Sequence, residues 1–145
     1  MASDTSGTIT FLIPERFDQA LRTIRLAVEK GRLKIASELD VSRRVERNLG
    51  IRLPPCRILY TWPSAVLARD ISAWAALFLP LHVVVSERGL HTAIYLPNRV
   101  PCEIADTDGD AFAAVSATHR EVLRSIETVA MRLSVVSWSR SSDSF

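Results

Sequence analysis

The sequence predicts a single α+β domain, in which amphipathic helices pack on one face of a mainly antiparallel sheet. Residues 78–97 are typical of a β-hairpin, because strong β-formers fill two arms on either side of Gly89. Residues 15–30 instead space their apolar side chains in steps of four, three and four, as an amphipathic helix does. A chain of 145 residues is long enough to bury one core without disulfides or metals.

The first strand and the first helix follow directly from the apolar pattern. Thr8–Ile13 predicts a β-strand, and Pro14 then stands where a helix begins, since its missing N–H would have no partner there. Gly31 is a natural end for this helix. Its apolar stripe consists of Phe17, Leu21, Ile24 and Val28.

Shorter elements fill the middle of the chain. Residues 32–39 alternate weakly and predict a second strand, and a short helix follows over residues 41–49 with Asp40 as its N-cap. Two prolines then mark a loop before a third strand at residues 56–62. A further short helix is expected over residues 63–73.

The last helix is expected to run from Ala111 to about Leu133, with Asp110 as its cap. The domain therefore covers residues 8–135, and residues 1–7 and 137–145 are expected to be disordered tails. The stripe of this helix consists of Phe112, Val115, His119, Val122, Ile126, Val129 and Leu133.

Alternation of side chains gives the hairpin two unlike faces. With Arg88 and Gly89 at the centre of the turn, His82 would lie opposite Tyr95. The apolar face carries Leu81, Val83, Val85, Thr92, Ile94 and Leu96 and would pack under the helices. The mixed face carries His82, Val84, Ser86, His91, Ala93 and Tyr95 and would meet water, a ligand or a second subunit.

The hairpin also carries a family resemblance. Its first arm reads Leu79-Pro80-Leu81-His82-Val83-Val84-Val85. Together with the Arg57-Ile58-Leu59 strand, Pro63 and Pro97, this arm resembles the bacterial and archaeal family called domain of unknown function 302. The resemblance covers roughly residues 8 to 135. It implies a compact α+β domain that tends to form dimers, and it implies no established activity.

Four positions depart from the family's usual residues. Leu81 stands where relatives have cysteine, and His82 stands where they have asparagine. Trp62 replaces another asparagine, and Leu96 replaces an aspartate. We therefore do not expect this chain to keep any thiol chemistry or polar pocket that its relatives share.

Charge and hydropathy narrow the classes of partner. The net charge of +2 is too small to predict nucleic-acid binding. The basic residues concentrate at Arg43, Arg44, Arg47, Arg52 and Arg57, which without interleaved aromatics favours a solvated face over a polyanion site. No apolar run approaches the roughly 18 residues of a membrane span, and no secretory signal precedes the domain. We expect a cytoplasmic protein with neither a membrane nor a nucleic-acid partner.

Side chains that could carry chemistry form no known motif. Cys56 and Cys102 lack CxxC spacing, so they are expected to be independent thiols. The acidic run 106–110 misplaces the glycine of a calcium loop, which favours an acidic turn before a helix. His119 lies on an apolar stripe, which favours a core or interface histidine. No catalytic residue, metal site or cofactor is predicted.

Three functional hypotheses remain. The first is a non-enzymatic interaction module, a homodimer whose contact or binding face includes His82, Ser86, His91 and Tyr95. The second is a protein that binds a small molecule, a metal or haem through His82, His91 or His119. The third is an enzyme of unrecognised type, because catalytic groups can converge from distant positions.

Overall fold

The computed structural model describes residues 7–63, 78–98, 100 and 109–136. These residues form six strands and three helices in a single domain, and the α+β class of this domain is the one that the sequence predicts. In chain order the elements are β1 (Thr8–Ile13), α1 (Phe17–Lys30), β2 (Leu33–Asp40), α2 (Val41–Leu49), β3 (Cys56–Pro63), β4 (Leu81–Arg88), β5 (His91–Pro97), α3 (Gly109–Glu127) and β6 (Met131–Val136).

The six strands form one sheet in the order β2-β3-β4-β5-β1-β6. Every neighbouring pair is antiparallel. The β4–β5 hairpin lies at the centre of this sheet, so the stretch with the strongest β-signal has a hydrogen-bonded strand on each side.

The core lies between one face of the sheet and helices α1 and α3. The predicted stripe of α1 is buried in full, and it packs with the helix-facing side chains of the strands. On the sheet side, Phe11, Val83 and Ile94 are completely buried at the centre of this layer. Helix α1 begins at Phe17 rather than directly after Pro14, because Arg16 is its N-cap. Alternate residues of the strands therefore enclose the core, as an antiparallel sheet with one covered face requires.

Helix α2 connects β2 to β3, contacts β3 and has no buried residue. Its bounds agree with the sequence prediction, since the Asp40 carboxylate accepts a hydrogen bond from the Arg43 backbone N–H. At the other end Gly50 has φ +70°, a left-handed conformation that glycine adopts without steric cost.

The predicted pairing of the hairpin strands is wrong, because the turn lies one residue later in the chain than predicted. The turn consists of Gly89 and Leu90, with Arg88 opposite His91, so Val84 rather than His82 lies opposite Tyr95. Gly89 has φ +65° and takes the first turn position, where a primed turn favours glycine. Moving the turn by one residue shifts the pairing by two, and an even shift leaves the two predicted faces unchanged.

The predicted last helix is too long. It begins at Gly109, so Asp110 lies in its first turn, and it ends at Glu127. The Thr128 side chain then bonds to the Ser125 carbonyl, and Met131–Val136 pairs with β1 as the edge strand β6. Leu133 therefore belongs to a strand and is exposed, although its spacing continues the helical stripe.

Several predictions concern residues outside the described ranges. These are the helix at 63–73 beyond Pro63, Cys102, most of the acidic run 106–110, and the tails at 1–6 and 137–145. Among the described helices, none is long and apolar enough to cross a membrane.

Candidate functional site

The candidate site is the sheet face that points away from α1 and α3, which we call the open face. Its central row crosses five strands, because each residue in it pairs directly with the next. The row runs Leu39, Ile58, Val84, Tyr95 and Thr10. All five side chains are partly buried, so they remain accessible to a partner.

Two further rows flank the central one. One runs Cys56, Ser86, Ala93, Leu12 and Met131, and the other runs Ser37, Tyr60 and His82. None of the thirteen residues in these three rows is Asp, Glu, Lys or Arg. A sheet face that meets water usually carries polar and charged side chains. A face without charged side chains is instead typical of a surface that contacts a partner.

His82 and Tyr60 form an aromatic pair on the open face. Their ring centroids lie 4.8 Å apart with an interplanar angle of 87°, an edge-to-face arrangement. Such pairs are favourable because a positive ring edge meets a negative ring face. His82 is exposed, and the pair fixes the orientation of a polar ring at one side of the apolar row.

Ser86 and Cys56 are direct neighbours on β4 and β3. Burial raises the pKa of the Cys56 thiol, and this outweighs the opposite effect of its hydrogen bond with the Ser86 hydroxyl. A raised pKa keeps the sulfur protonated near neutral pH, and a protonated thiol is a poor nucleophile. The two residues therefore add polar contacts to the open face rather than a reactive group.

The three histidines do not converge. His91 pairs with Arg88, which is six residues after His82 on β4. At about 3.3 Å per residue, His82 and His91 are therefore about 20 Å apart along the sheet. His119 lies on the helix side, where its Nε2 is 2.8 Å from the Pro97 carbonyl oxygen and donates to it. No group of three or more metal-ligating side chains occurs within the described ranges. Tyr95 alone of the predicted site residues lies in the central row.

A cluster of ion pairs at the β2 edge has no counterpart in the sequence predictions. The Arg25 guanidinium holds the Glu38 carboxylate through two bonds of 2.6 Å, Nε to Oε2 and Nη2 to Oε1. Arg57 bonds to Glu38 at 3.2 Å and to Asp40 at 3.3 Å. The hydrogen bond from Arg25, followed by that from Arg57, lowers the pKa of Glu38. The partners lie 13 to 19 residues apart, so no local spacing indicates them.

A cleft of about 380 Å³ lies beside this cluster, where α1 and α2 begin. Its volume is within the range of small-ligand pockets. Arg16 and Arg57 line it together with the carboxylates of Asp18, Asp40 and Glu87. The negative groups outnumber the positive ones, and Arg57 already pairs with two carboxylates, so the cleft is not built for an anion.

Comparison with known proteins places the fold in a family. Residues 9–126 match the family model described as "Domain of unknown function DUF302". The chain is also similar to the crystal structure of an uncharacterized conserved protein of that family from Bacillus stearothermophilus. The two share 13% sequence identity and a TM-score of 0.67, over 84% of this chain and 97% of the other. At that identity the likeness shows the fold alone. No curated protein matches the chain.

Proposed function

Since the chain belongs to the DUF302 family, whose description assigns no activity, we propose a function from the geometry of the open face. The protein acts as an interaction module that pairs with a second copy of itself through this face. No reaction is assigned to it. The observation that carries the proposal is the run of three residue rows across the sheet without one charged side chain.

A second copy is the partner that this composition fits best. In a two-fold symmetric dimer the same patch meets itself, so any charge near the axis would face a like charge. The three rows avoid that cost. The nearest charged residues on the same side lie beyond them: Arg88 on β4 at the hairpin tip, and Lys34 on β2, which pairs with Trp62. The hydroxyl, imidazole and thiol groups of the open face can still bond across the interface.

The size of the open face suits a stable dimer. Six strands at about 4.8 Å spacing and six residues of about 3.4 Å each give a flat area of about 500 Å². Side-chain relief makes the accessible area larger than the flat one. A standard interface buries roughly 800 Å² on each partner. The open face is therefore large enough to supply most of one subunit's contribution.

The decisive test compares two substitutions that make the same chemical change at different places. Val84→Arg puts a cation at the centre of the open face, whereas Leu26→Arg puts one on α1, where Leu26 is already 64% exposed. Molar mass is measured by light scattering over micromolar concentrations, and circular dichroism checks that each variant is folded. We expect dimers for the wild type and Leu26→Arg, and a monomer for Val84→Arg. A monomeric wild type, or a folded Val84→Arg dimer, contradicts the proposal.

A further inference from the structure

The cluster of ion pairs that borders the cleft is electrically balanced. It joins two arginines to two carboxylates through contacts of 2.6 to 3.3 Å. Two members of the cluster, Asp40 and Arg57, also line the cleft of about 380 Å³ where α1 and α2 begin. Since each is already paired with the other, they leave no net charge for a ligand. The charge that the cleft offers must therefore come from its other lining residues.

Two further carboxylates line the cleft without a counter-charge. Asp18 lies in the first turn of α1, and Glu87 lies near the end of β4. In the part of the chain that the structure describes, neither forms an ion pair. Arg16 is exposed and is the remaining cation among the described lining residues. Two negative charges and one positive charge give the cleft a formal charge of −1.

Glu87 is partly buried although it has no partner ion. It lies two residues after Val85, so alternation directs both side chains to the core side of the sheet. Val85 is completely buried there, and Glu87 follows it at the end of the same strand, inside the cleft. A partly buried carboxylate loses some of its hydration, and a cation bound beside it replaces the stabilisation that is lost.

We propose that the cleft binds a small organic cation of the alkylamine class. Glu87 pairs with one ammonium group, and Asp18 attracts a second. At about 30 Å³ for each non-hydrogen atom, the share of a water molecule in the liquid, the cleft holds a molecule of about a dozen such atoms. Phe17 and Pro55 also line it and offer apolar surface to the methylene groups that separate two amines.

A metal ion fits this cleft less well than an organic cation. Metal sites require carboxylates that converge on one point. Within the described ranges no three metal-ligating side chains lie close enough to hold one ion, so the carboxylates of the cleft do not converge in this way. A flexible molecule with two separated amines can instead reach carboxylates on different walls.

This inference concerns a different part of the molecule from the dimer contact. The cleft opens on the core side of the sheet, beyond the first turn of α1, and Cys56 is its one lining residue that also belongs to the three rows of the open face. Ligand binding and pairing with a second copy can therefore be measured separately, and the failure of one does not decide the other.

Nuclear magnetic resonance titration of the nitrogen-15-labelled full chain at neutral pH tests the proposal. Diaminobutane should shift the backbone amide signals of residues 16–18 and 86–88 until they saturate, and salt should weaken this binding because exposed charges are screened. Succinate has the same four-carbon chain with carboxylates in place of amines and should shift none of these signals. Lysine adds a carboxylate that Arg16 can bind, so tighter binding of lysine indicates a basic amino acid and tighter binding of diaminobutane indicates a diamine.

Matched variants locate the binding site. Glu87→Gln should weaken diaminobutane binding about tenfold, because it removes a charge-assisted hydrogen bond. Glu29→Gln makes the same chemical change on exposed α1, eleven residues after Asp18 and about 16 Å along the helix, and should leave binding unchanged. Arg16→Gln should strengthen diaminobutane binding, because it removes a like charge.

Circular dichroism checks that each variant is folded. If Glu87→Gln does not fold, Asp18→Asn replaces it, because Asp18 is exposed and should tolerate the change. Four results overturn the proposal: no saturable shift with either amine, equal shifts with succinate, tighter binding of Mg²⁺ than of diaminobutane at the same signals, or equal loss of binding in the cleft variant and Glu29→Gln.

Discussion

Replacing Glu38 by Gln tests whether the ion-pair cluster stabilises the β2 edge. Glu38 accepts two bonds from Arg25 and one from Arg57, and its side chain is 23% exposed. Hydrogen bonds to charged groups contribute about 1.5–3 kcal/mol when buried, and exposed ion pairs contribute about 0–1 kcal/mol. Glu38 is partly buried, so the contribution of its ion pairs should lie between these two values. The Gln side chain keeps one oxygen that can still accept a hydrogen bond from an arginine. We expect Glu38→Gln to lower the free energy of unfolding by about 2 kcal/mol at neutral pH.

The dependence of this difference on pH provides a second readout. The arginines hold the pKa of Glu38 below its ordinary value of 4.5. A lowered pKa means that the stabilisation is complete above the ordinary value and is lost as the pH falls through the folded value. The stability gap between wild type and Glu38→Gln should therefore be constant near neutral pH and narrow below about pH 4.5.

Urea denaturation of three proteins measures both effects. The control is Glu46→Gln, because Glu46 pairs with Arg52 at 3.6 Å and both side chains are mostly exposed. We expect this control to change stability by less than about 0.5 kcal/mol at any pH. The reasoning is refuted if Glu38→Gln costs no more than Glu46→Gln, or if its cost stays constant down to strongly acidic pH.

Two further matched pairs test the backbone and the core by the same denaturation measurement. Gly89→Ala should cost about 1–2 kcal/mol, because Gly89 has φ +65°. Gly109→Ala, where an added methyl group would meet nothing within 4 Å, should be nearly neutral; equal costs would speak against a strained turn. Ile126→Ala should cost about 2–5 kcal/mol because Ile126 is fully buried. Leu133→Ala should cost less than about 1 kcal/mol, since Leu133 is 37% exposed, and a cost as large as that of Ile126→Ala would contradict its place on β6.

The elements that the sequence predicts well are those defined by neighbouring residues. The stripe of α1 and the N-cap and C-terminal glycine of α2 each depend on contacts within a few residues. The two faces of the hairpin also follow from alternation alone. The position of the turn does not follow from neighbouring residues, because both Arg88-Gly89 and Gly89-Leu90 place Gly89 in a primed turn. The choice between them depends on how the hairpin strands pair with β3 and β1.

The features that sequence reasoning missed depend on distant partners. Leu133 continues the three- and four-residue spacing of α3, yet Met131–Val136 becomes a strand because β1, more than a hundred residues earlier, offers a free edge. The cluster around Glu38 joins α1, β2 and β3. The absence of charge from the three rows of the open face becomes visible only when the register aligns residues of five strands.

Hydroxyl-radical footprinting of Tyr60 and Tyr95 tests most directly whether a second copy covers the open face. Both side chains are only partly buried in one subunit. Tyr95 lies in the central row of the open face, and Tyr60 lies in a flanking row. Their oxidation should slow as the concentration rises and the molar mass doubles, while the oxidation of exposed Leu26 on α1 stays constant. Doubling of the mass without protection of either tyrosine, or a constant monomer mass, would contradict the account.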